Sequence, residues 1–190
     1  MNAALSLSEL KPHKISIALL KSFMESGAFD GLPRMELLDG TLYEMSPQKS
    51  PHVLAKNRLT FRLQAKILEL SLPFEALSEP TIAIGETSAP EPDIIICNAP
   101  ETEGFYPAAC VMLAVEVSLT SLQTDLGYKK ALYASAGIAE YWVVDVNAGL
   151  FHIFWNPFGE TYQETSIVAI GEMLSSMTID GLSVETVGLI

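Results

Sequence analysis

The sequence lacks the features that mark a membrane-spanning or secreted protein. None of its 190 residues belongs to an unbroken apolar run approaching the about 20 residues that a membrane-crossing helix needs. The N-terminal region has no basic stretch followed by an apolar run, which is the pattern of a secretory signal. We therefore expect a cytoplasmic protein that has no membrane partner.

Cysteine and histidine are also scarce. The only cysteines are Cys97 and Cys110, each in or beside an apolar run, which predicts buried thiols in a reducing compartment. The histidines His13, His52 and His152 are scattered, and the sequence contains no CxxC motif that could join them. This pattern argues against a zinc site built from thiolates and imidazoles.

Basic residues are few. The chain has 11 Lys and Arg against 23 Asp and Glu, so its formal net charge is −12. Proteins that hold nucleic acid tightly through its phosphates usually carry a basic face. The charge therefore argues against a nucleic-acid coat protein, and less strongly against an enzyme whose metal ion supplies local positive charge. The basic residues are spread thinly, with small groups at Lys56, Arg58, Arg62 and Lys66 and at Lys129 and Lys130.

Length and periodicity predict one domain over residues 1–190, with residues 1–30 as an N-terminal helical extension. Helices are predicted over 15–26, 51–70 and 122–135, the last with Thr124 as its cap and Gly137 as its end. Asp39-Gly40 predicts a hairpin turn between 34–38 and 41–45. Further strands are predicted over 81–84, 93–97, 111–117, 140–146 and 150–155, with short strands in 162–190. This order predicts an α/β (α+β) fold, a mixed central sheet flanked by helices, with an N-terminal helix and β-hairpin.

The helix over 51–70 is amphipathic. Its apolar stripe is expected to face the core, while the first basic group points outward into solvent. The predicted stripe consists of Leu54, Leu59, Leu63, Ile67 and Leu70.

Two acids interrupt strands that ought to be buried. Asp93 follows Pro92 at the start of one apolar strand, and Glu116 lies inside another. A carboxylate in an apolar strand loses hydration, so it needs a partner, a proton or a metal. Two such groups on adjacent strands, near a backbone carbonyl, would form the oxygen cage that Mg²⁺ prefers. The alternative is that each acid sits at a strand end and faces solvent.

The order of these motifs resembles a bacterial endonuclease family of the PD-(D/E)XK (restriction-endonuclease-like) superfamily, long classed as a domain of unknown function. The resemblance covers most of the chain. It is carried by Met35-Glu36-Leu37-Leu38-Asp39-Gly40, Met45-Ser46-Pro47, His52, Glu91-Pro92-Asp93, Val115-Glu116-Val117-Ser118, Asp125-Leu126-Gly127-Tyr128-Lys129, Tyr133, and residues 137–145.

The resemblance implies a restriction-endonuclease-like fold in which Asp93 and Glu116 bind Mg²⁺ or Mn²⁺. The metal would lower the pKa of an attacking water and neutralise charge on the scissile phosphate of DNA. The superfamily usually has a lysine two residues after the second acid, but this chain has Ser118 there. The family is thought to move this lysine to the following helix, where Lys129 matches. Lys129 would orient the water and stabilise the developing charge.

Three neighbours are further candidates, each with a structural alternative. Asp125 lies one turn before Lys129, which also fits an ordinary surface ion pair. Glu36 matches a family position and would approach the metal, although an exposed charge on the hairpin is the favoured interpretation. His52 would contact substrate, or make a hydrogen bond at the start of its helix.

Helical geometry does not choose between the two lysines of this region. At about 100° per residue, Leu122, Leu126 and Tyr133 define the buried stripe, and Lys129 and Lys130 flank it on opposite sides. The family resemblance favours Lys129. The alternative is that both are solvated lysines whose stems cover apolar neighbours.

The favoured function is a Mg²⁺-dependent endonuclease that hydrolyses phosphodiester bonds of DNA, expected to act as a homodimer. A non-catalytic oligomeric binding or regulatory module on a nuclease-like fold is the alternative, which the net charge and Ser118 keep open. A third hypothesis is a hydrolase of a smaller phosphate ester, which would tolerate an acidic surface better.

Overall fold

The structure is a computed structural model, and it describes residues 12–98 and 104–190. Within those ranges, no helix is long and apolar enough to span a membrane. The elements in chain order are α1 (Ile17–Glu25), β1 (Met35–Leu38), β2 (Thr41–Glu44), α2 (Ser50–Glu69), β3 (Glu75–Ser78), β4 (Ile82–Ala83), β5 (Ile94–Cys97), β6 (Tyr106–Pro107), β7 (Val111–Ser118), α3, β8 (Glu140–Asp145), β9 (Leu150–Phe158), β10 (Thr161–Ala169), β11 (Met173–Ser175) and β12 (Ser183–Glu185). The helix α3 is continuous but has three segments, Leu122–Thr124 (α), Asp125–Lys129 (π) and Lys130–Ser135 (α).

A six-stranded mixed sheet forms the centre of the molecule, in the order β10-β9-β8-β7-β5-β3. Only β7 and β8 are parallel; every other neighbouring pair in this sheet is antiparallel. Strands β5 and β8 are buried along their whole length. The prediction that 93–97, 111–117 and 140–146 are neighbouring strands is confirmed, and so is the mixed sheet flanked by helices.

Helices cover both faces of this sheet, which explains the continuous apolar runs of its central strands. Successive residues of a strand point to opposite faces. On one face, Ile94 and Ile96 pack with α2 and the β11–β12 hairpin. On the other face, Ile95 packs with α3 through Tyr133 and Leu126. The 122–135 helix therefore lies on the sheet face, as predicted.

The N-terminal helix and hairpin form a smaller layer beside the sheet. The turn residues Asp39 and Gly40 have φ angles of +46° and +75°, the left-handed conformation that a two-residue hairpin needs. Leu37 is fully buried against Leu20 of α1 and Ala89, and it exchanges backbone hydrogen bonds with Ala89. These contacts fix the hairpin against the segment that leads into β5.

Helix α2 faces the core differently from the prediction. Leu54 and Leu70 are exposed, whereas Lys56 is buried, and its ammonium donates to Glu79 and Gln48. The buried stripe runs through Ala55, Leu59, Leu63 and Ile67. The expectation that the whole first basic group points into solvent is therefore wrong.

The reason is that the C-terminal segment and the β3 region cover the flanks of α2. Arg58 and Arg62 donate to backbone carbonyls of residues 185–189, and Lys56 reaches Glu79, just after β3. These partners are distant in sequence, so the periodicity of α2 alone could not indicate them.

Helix α3 also differs from the prediction at its start. Thr124 lies inside the helix rather than at its cap, and Ser121 occupies the cap position. Gly137, with a φ angle of +74°, follows the helix end as predicted. The five-residue π segment had no counterpart in the predicted regular helix.

Glu140, the first residue of β8, is a buried carboxylate that fixes the loop after β11. It is fully inaccessible and accepts hydrogen bonds from the Trp142 indole (2.6 Å), the Ser176 hydroxyl (2.6 Å) and the Thr178 hydroxyl (2.7 Å). The backbone N–H groups of Met177 and Thr178 donate to it at 3.0 Å.

We expect Glu140→Gln to lower the free energy of unfolding by about 3 kcal/mol, because an amide cannot accept all these bonds and leaves buried donors unpaired. Urea denaturation followed by circular dichroism measures the change. The matched control is Glu160→Gln on an exposed turn, expected to change stability by less than about 0.5 kcal/mol. Equal stability of the two variants would contradict a structural role for the Glu140 carboxylate.

Candidate active site

A cleft of about 1100 Å³ opens between the hairpin, the start of α2, the end of β7 and the first turns of α3. It is the place where the N-terminal layer meets the start of β5 and the end of β7, two interior strands of the central sheet. All six candidate residues line it, namely Glu36, His52, Asp93, Glu116, Asp125 and Lys129.

Asp93 and Glu116 reach the cleft from adjacent strands. Ile94 pairs with Val115 in the antiparallel β5–β7 register, so one step further places Asp93 opposite Glu116. Directly opposed residues point to the same face of a sheet, with Cβ atoms about 4.5–5.5 Å apart. The strand pairing therefore brings the two predicted metal ligands to one place; their role as ligands stays a prediction.

Asp93 is held by one of its two carboxylate oxygens. Its Oδ2 accepts the backbone N–H of Val117 at 2.7 Å and lies 3.0 Å from Nε2 of His52. His52 is in the first turn of α2, and the contact of its ring with Asp93 joins this helix to the residue before β5. Its Nδ1 is buried and has no hydrogen-bond partner among the described residues.

Lys129 lies between two glutamates from different parts of the chain. Its ammonium is 3.1 Å from Oε1 of Glu116 and 3.1 Å from Oε2 of Glu36. The contact with Glu116 has hydrogen-bond geometry, and the Tyr133 hydroxyl donates to the same Oε1 at 2.8 Å. The contact with Glu36 is an ion pair without that geometry, since Oε2 lacks a hydrogen bond among the described residues.

The favoured interpretation of Glu36 as an exposed hairpin charge is wrong. Only 11% of its side chain is exposed, because the hairpin packs against the segment before β5 and turns Glu36 toward Lys129. The sequence of a hairpin shows which side chains share a face, but it does not show which of the two faces will pack against the rest of the protein. The motif resemblance was the one signal that indicated Glu36.

Asp125 is also buried, so the surface ion pair considered for it is wrong. Its Oδ2 accepts the hydroxyls of Ser118 and Ser121, both at 2.5 Å. Ser118 stands where the superfamily usually has its lysine, and here it connects the end of β7 to the start of α3. Burial raises the pKa of the Asp125 carboxyl.

The structure distinguishes the two lysines between which helical geometry could not choose. Lys129 points into the cleft toward Glu116, whereas Lys130 points away and places its ammonium 4.9 Å from the centre of the Phe154 ring. The lysine that the family resemblance favours is thus the one that lines the cleft. The catalytic role of Lys129 stays a prediction.

Burial raises the pKa of Glu116 well above its usual value, and nearby Asp125, Asp93 and Glu36 raise it further, against the opposing effect of Lys129. Burial alone would lower the pKa of Lys129, but Glu116 and Glu36 raise it above its usual value. Four carboxyl groups, those of Glu36, Asp93, Glu116 and Asp125, thus line the cleft around one buried ammonium.

The donor set fits a divalent metal in part. The hydrogen bonds of Asp93 involve its Oδ2, and those of Glu116 involve its Oε1. In the described part of the chain, Oδ1 of Asp93 and Oε2 of Glu116 accept no hydrogen bond. No group of three or more Asp, Glu, His or Cys within residues 12–98 and 104–190 could hold a metal alone. Mg²⁺ is often bound by only one or two carboxylates, with water and phosphate oxygens completing its shell.

The raised pKa of Glu116 predicts how stability depends on pH. Between its unfolded value and its higher folded value, the folded state holds more protons, so stability falls as pH rises. In metal-free protein the urea midpoint should therefore fall as the pH is raised above about 5. Glu116→Gln cannot ionise and should show a flatter profile, while Glu160→Gln should match the wild type. Parallel profiles for wild type and Glu116→Gln would refute the raised pKa.

Comparison with known proteins agrees with this geometry. No curated protein is significantly similar to the chain in sequence. The structure is similar to a crystal structure from Anabaena variabilis ATCC 29413, described as "a putative nuclease belonging to DUF820", with a TM-score of 0.65 at 16% identity, over 83% of this chain and 89% of that chain. This likeness shows a shared fold.

The model of the Uma2 family, described as "Putative restriction endonuclease", matches residues 22–187. The chain therefore belongs to the Uma2 family, which confirms the restriction-endonuclease-like family that its motifs predicted.

Proposed function

We propose that the protein is an endonuclease that hydrolyses phosphodiester bonds of DNA, with Mg²⁺ or Mn²⁺ held by Asp93 and Glu116. The observation that carries the proposal is the contact between Lys129 and Glu116, which is buried at the floor of an open cleft beside Asp93. Membership of a family described as restriction endonucleases supports the same reaction class.

In this proposal the chain's own residues position the reactants. Glu116 is fixed by Lys129 and Tyr133, and Asp93 is fixed by His52 and the N–H of Val117. Each acid then offers its other oxygen to a metal. The bound metal would supply an activated water and neutralise phosphate charge.

Lys129 would stabilise the negative charge that develops on the phosphate. Its side chain is 7% exposed, so its ammonium acts in surroundings with little water, where electrostatic interactions are strong. Ser118 cannot supply this charge, and its hydroxyl instead holds Asp125. The lysine thus reaches the site from α3 rather than from β7.

The metal ligands can be tested apart from cleavage. Asp93→Asn keeps the shape of the side chain but removes one negative charge, so we expect Mn²⁺ binding measured by calorimetry to weaken by about tenfold or more. Glu91→Gln, on the rim of the same cleft and paired with Arg34, is the matched control and should bind Mn²⁺ nearly as the wild type does. Equal loss in both variants would point to a diffuse charge effect.

The lysine is tested by cleavage. Lys129→Met keeps the long stem but removes the ammonium, so we expect Mg²⁺-dependent cleavage of plasmid DNA to fall by about a hundredfold or more, measured on protein that circular dichroism shows to be folded. Lys130→Met removes a charge that faces Phe154, outside the cleft, and should change cleavage little. Equal activity of the two variants would favour the non-catalytic module.

The acidic lining of the cleft keeps a second candidate, a hydrolase of smaller phosphate esters. Its carboxylates outnumber the lysines that line it, Lys49 and Lys129. Assay of mononucleotides beside plasmid DNA separates the two functions, because only the endonuclease should prefer the polymer.

A further inference from the structure

Two exposed tyrosines line the cleft beside the candidate catalytic groups. The residues are Tyr43, which is 51% exposed, and Tyr128, which is 43% exposed. Neither ring packs against another aromatic ring within the described ranges. The cleft therefore contains two exposed aromatic side chains, and within the described residues neither is stacked on another ring.

Backbone geometry ties each tyrosine to a charged residue of the site. Tyr43 on β2 is directly opposite Glu36 on β1, so its side chain leaves the hairpin on the face that carries Glu36 toward Lys129. Tyr128 immediately precedes Lys129 in the π segment, and both side chains line the cleft.

Both tyrosines line the cleft, Tyr43 from β2 and Tyr128 from α3. Burial raises the pKa of Tyr128, and the neighbouring Asp39 and Tyr43 raise it further. The hairpin and α3 thus face each other across the cleft, each with a tyrosine at its entrance.

The charge of the cleft is unsuited to a rigid duplex held by its phosphates. The lysines that line it are Lys49 and Lys129, and the ammonium of Lys129 also contacts Glu116 and Glu36. Duplex-binding proteins usually neutralise several phosphates with Lys and Arg. Proteins that bind single strands combine basic groups along the backbone with stacking of bases on aromatic rings, and each stacked base contributes about 1–3 kcal/mol in addition to the contacts with phosphates.

The cleft is also slightly larger than a usual small-molecule pocket. Its volume of about 1100 Å³ lies just above the roughly 300–1000 Å³ typical of such pockets. It therefore has room for more than one nucleotide.

We propose that this cleft takes unpaired DNA, with bases stacked on Tyr43 and Tyr128 so that the adjacent phosphate reaches Lys129 and Glu116. The inference rests on the proposed function in taking DNA as the polymer. It adds that the substrate is a single strand or an unpaired region rather than a continuous duplex. A cleft that holds one strand needs no second copy beside it, so cleavage would not depend on the expected homodimer.

The test measures binding of a short single-stranded oligothymidylate that carries one 2-aminopurine, whose fluorescence is quenched when the base stacks. Binding is measured in Ca²⁺, with the strand checked intact on a gel, and is compared with a blunt duplex of the same length. We expect the single strand to bind at least about tenfold more tightly than the duplex, with quenching. Equal or tighter binding of the duplex, or no binding of the single strand, would overturn the proposal.

Variants show whether the rings carry the binding. Tyr43→Leu and Tyr128→Leu should each weaken single-strand binding by about tenfold and reduce the quenching, whereas Tyr43→Phe and Tyr128→Phe keep the ring and should bind within about twofold of wild type. The matched control is Phe158→Leu, which removes an aromatic ring that is 76% exposed outside the cleft. Unchanged affinity in both leucine variants would overturn the proposal.

The outcomes separate this inference from the proposed function. A protein that binds single strands through its tyrosines but cleaves no DNA in Mg²⁺ would refute the endonuclease alone. A protein that cleaves duplex DNA equally well with both tyrosines replaced would refute the single-strand inference alone.

Discussion

The ammonium group of Lys129 holds together parts of the molecule that would otherwise repel each other. It contacts Glu116 on the central sheet and Glu36 on the N-terminal hairpin, and all three side chains are nearly buried. An isolated charge in such surroundings is costly, so each partner depends on the others. Asp93 and Asp125 line the same cleft beside this pair of contacts. The cluster that joins hairpin, sheet and α3 therefore gathers four carboxyl groups around one ammonium, which is the setting in which we propose a divalent cation.

The fold delivers these groups by simple means. Antiparallel pairing of β5 with β7 sets Asp93 opposite Glu116, and parallel pairing of β7 with β8 buries the strand that carries the second acid. Lys129, the last residue of the π segment, then faces the cleft, while Lys130 faces Phe154. Such π segments are often found at functional sites. The hydroxyl of Ser118, at the end of β7, donates to Asp125 on α3. Ser118 stands where the superfamily usually has a lysine, and its hydrogen bond fixes the helix that carries Lys129.

Much of this could be predicted from sequence, because strong local patterns carried it. The acids of β5 and β7 stood out in apolar strands, and the Asp39-Gly40 turn defined the hairpin. What failed depends on contacts between distant segments. The burial of Lys56 requires Glu79, and the burial of Glu36 requires the hairpin to dock beside Ala89. The choice of Lys129 over Lys130 had to come from the family resemblance, since a regular helix places both beside the buried stripe and the π segment left no recognised signal.

The central claim is that Asp93 and Glu116 together bind one divalent cation in this cleft. Its most direct test is the anomalous scattering of crystals grown with Mn²⁺. We expect one anomalous peak in the cleft, in contact with carboxylate oxygens of both Asp93 and Glu116, with the Lys129 side chain still beside it. Absence of a peak there, or a peak held by only one of these acids, would contradict the claim.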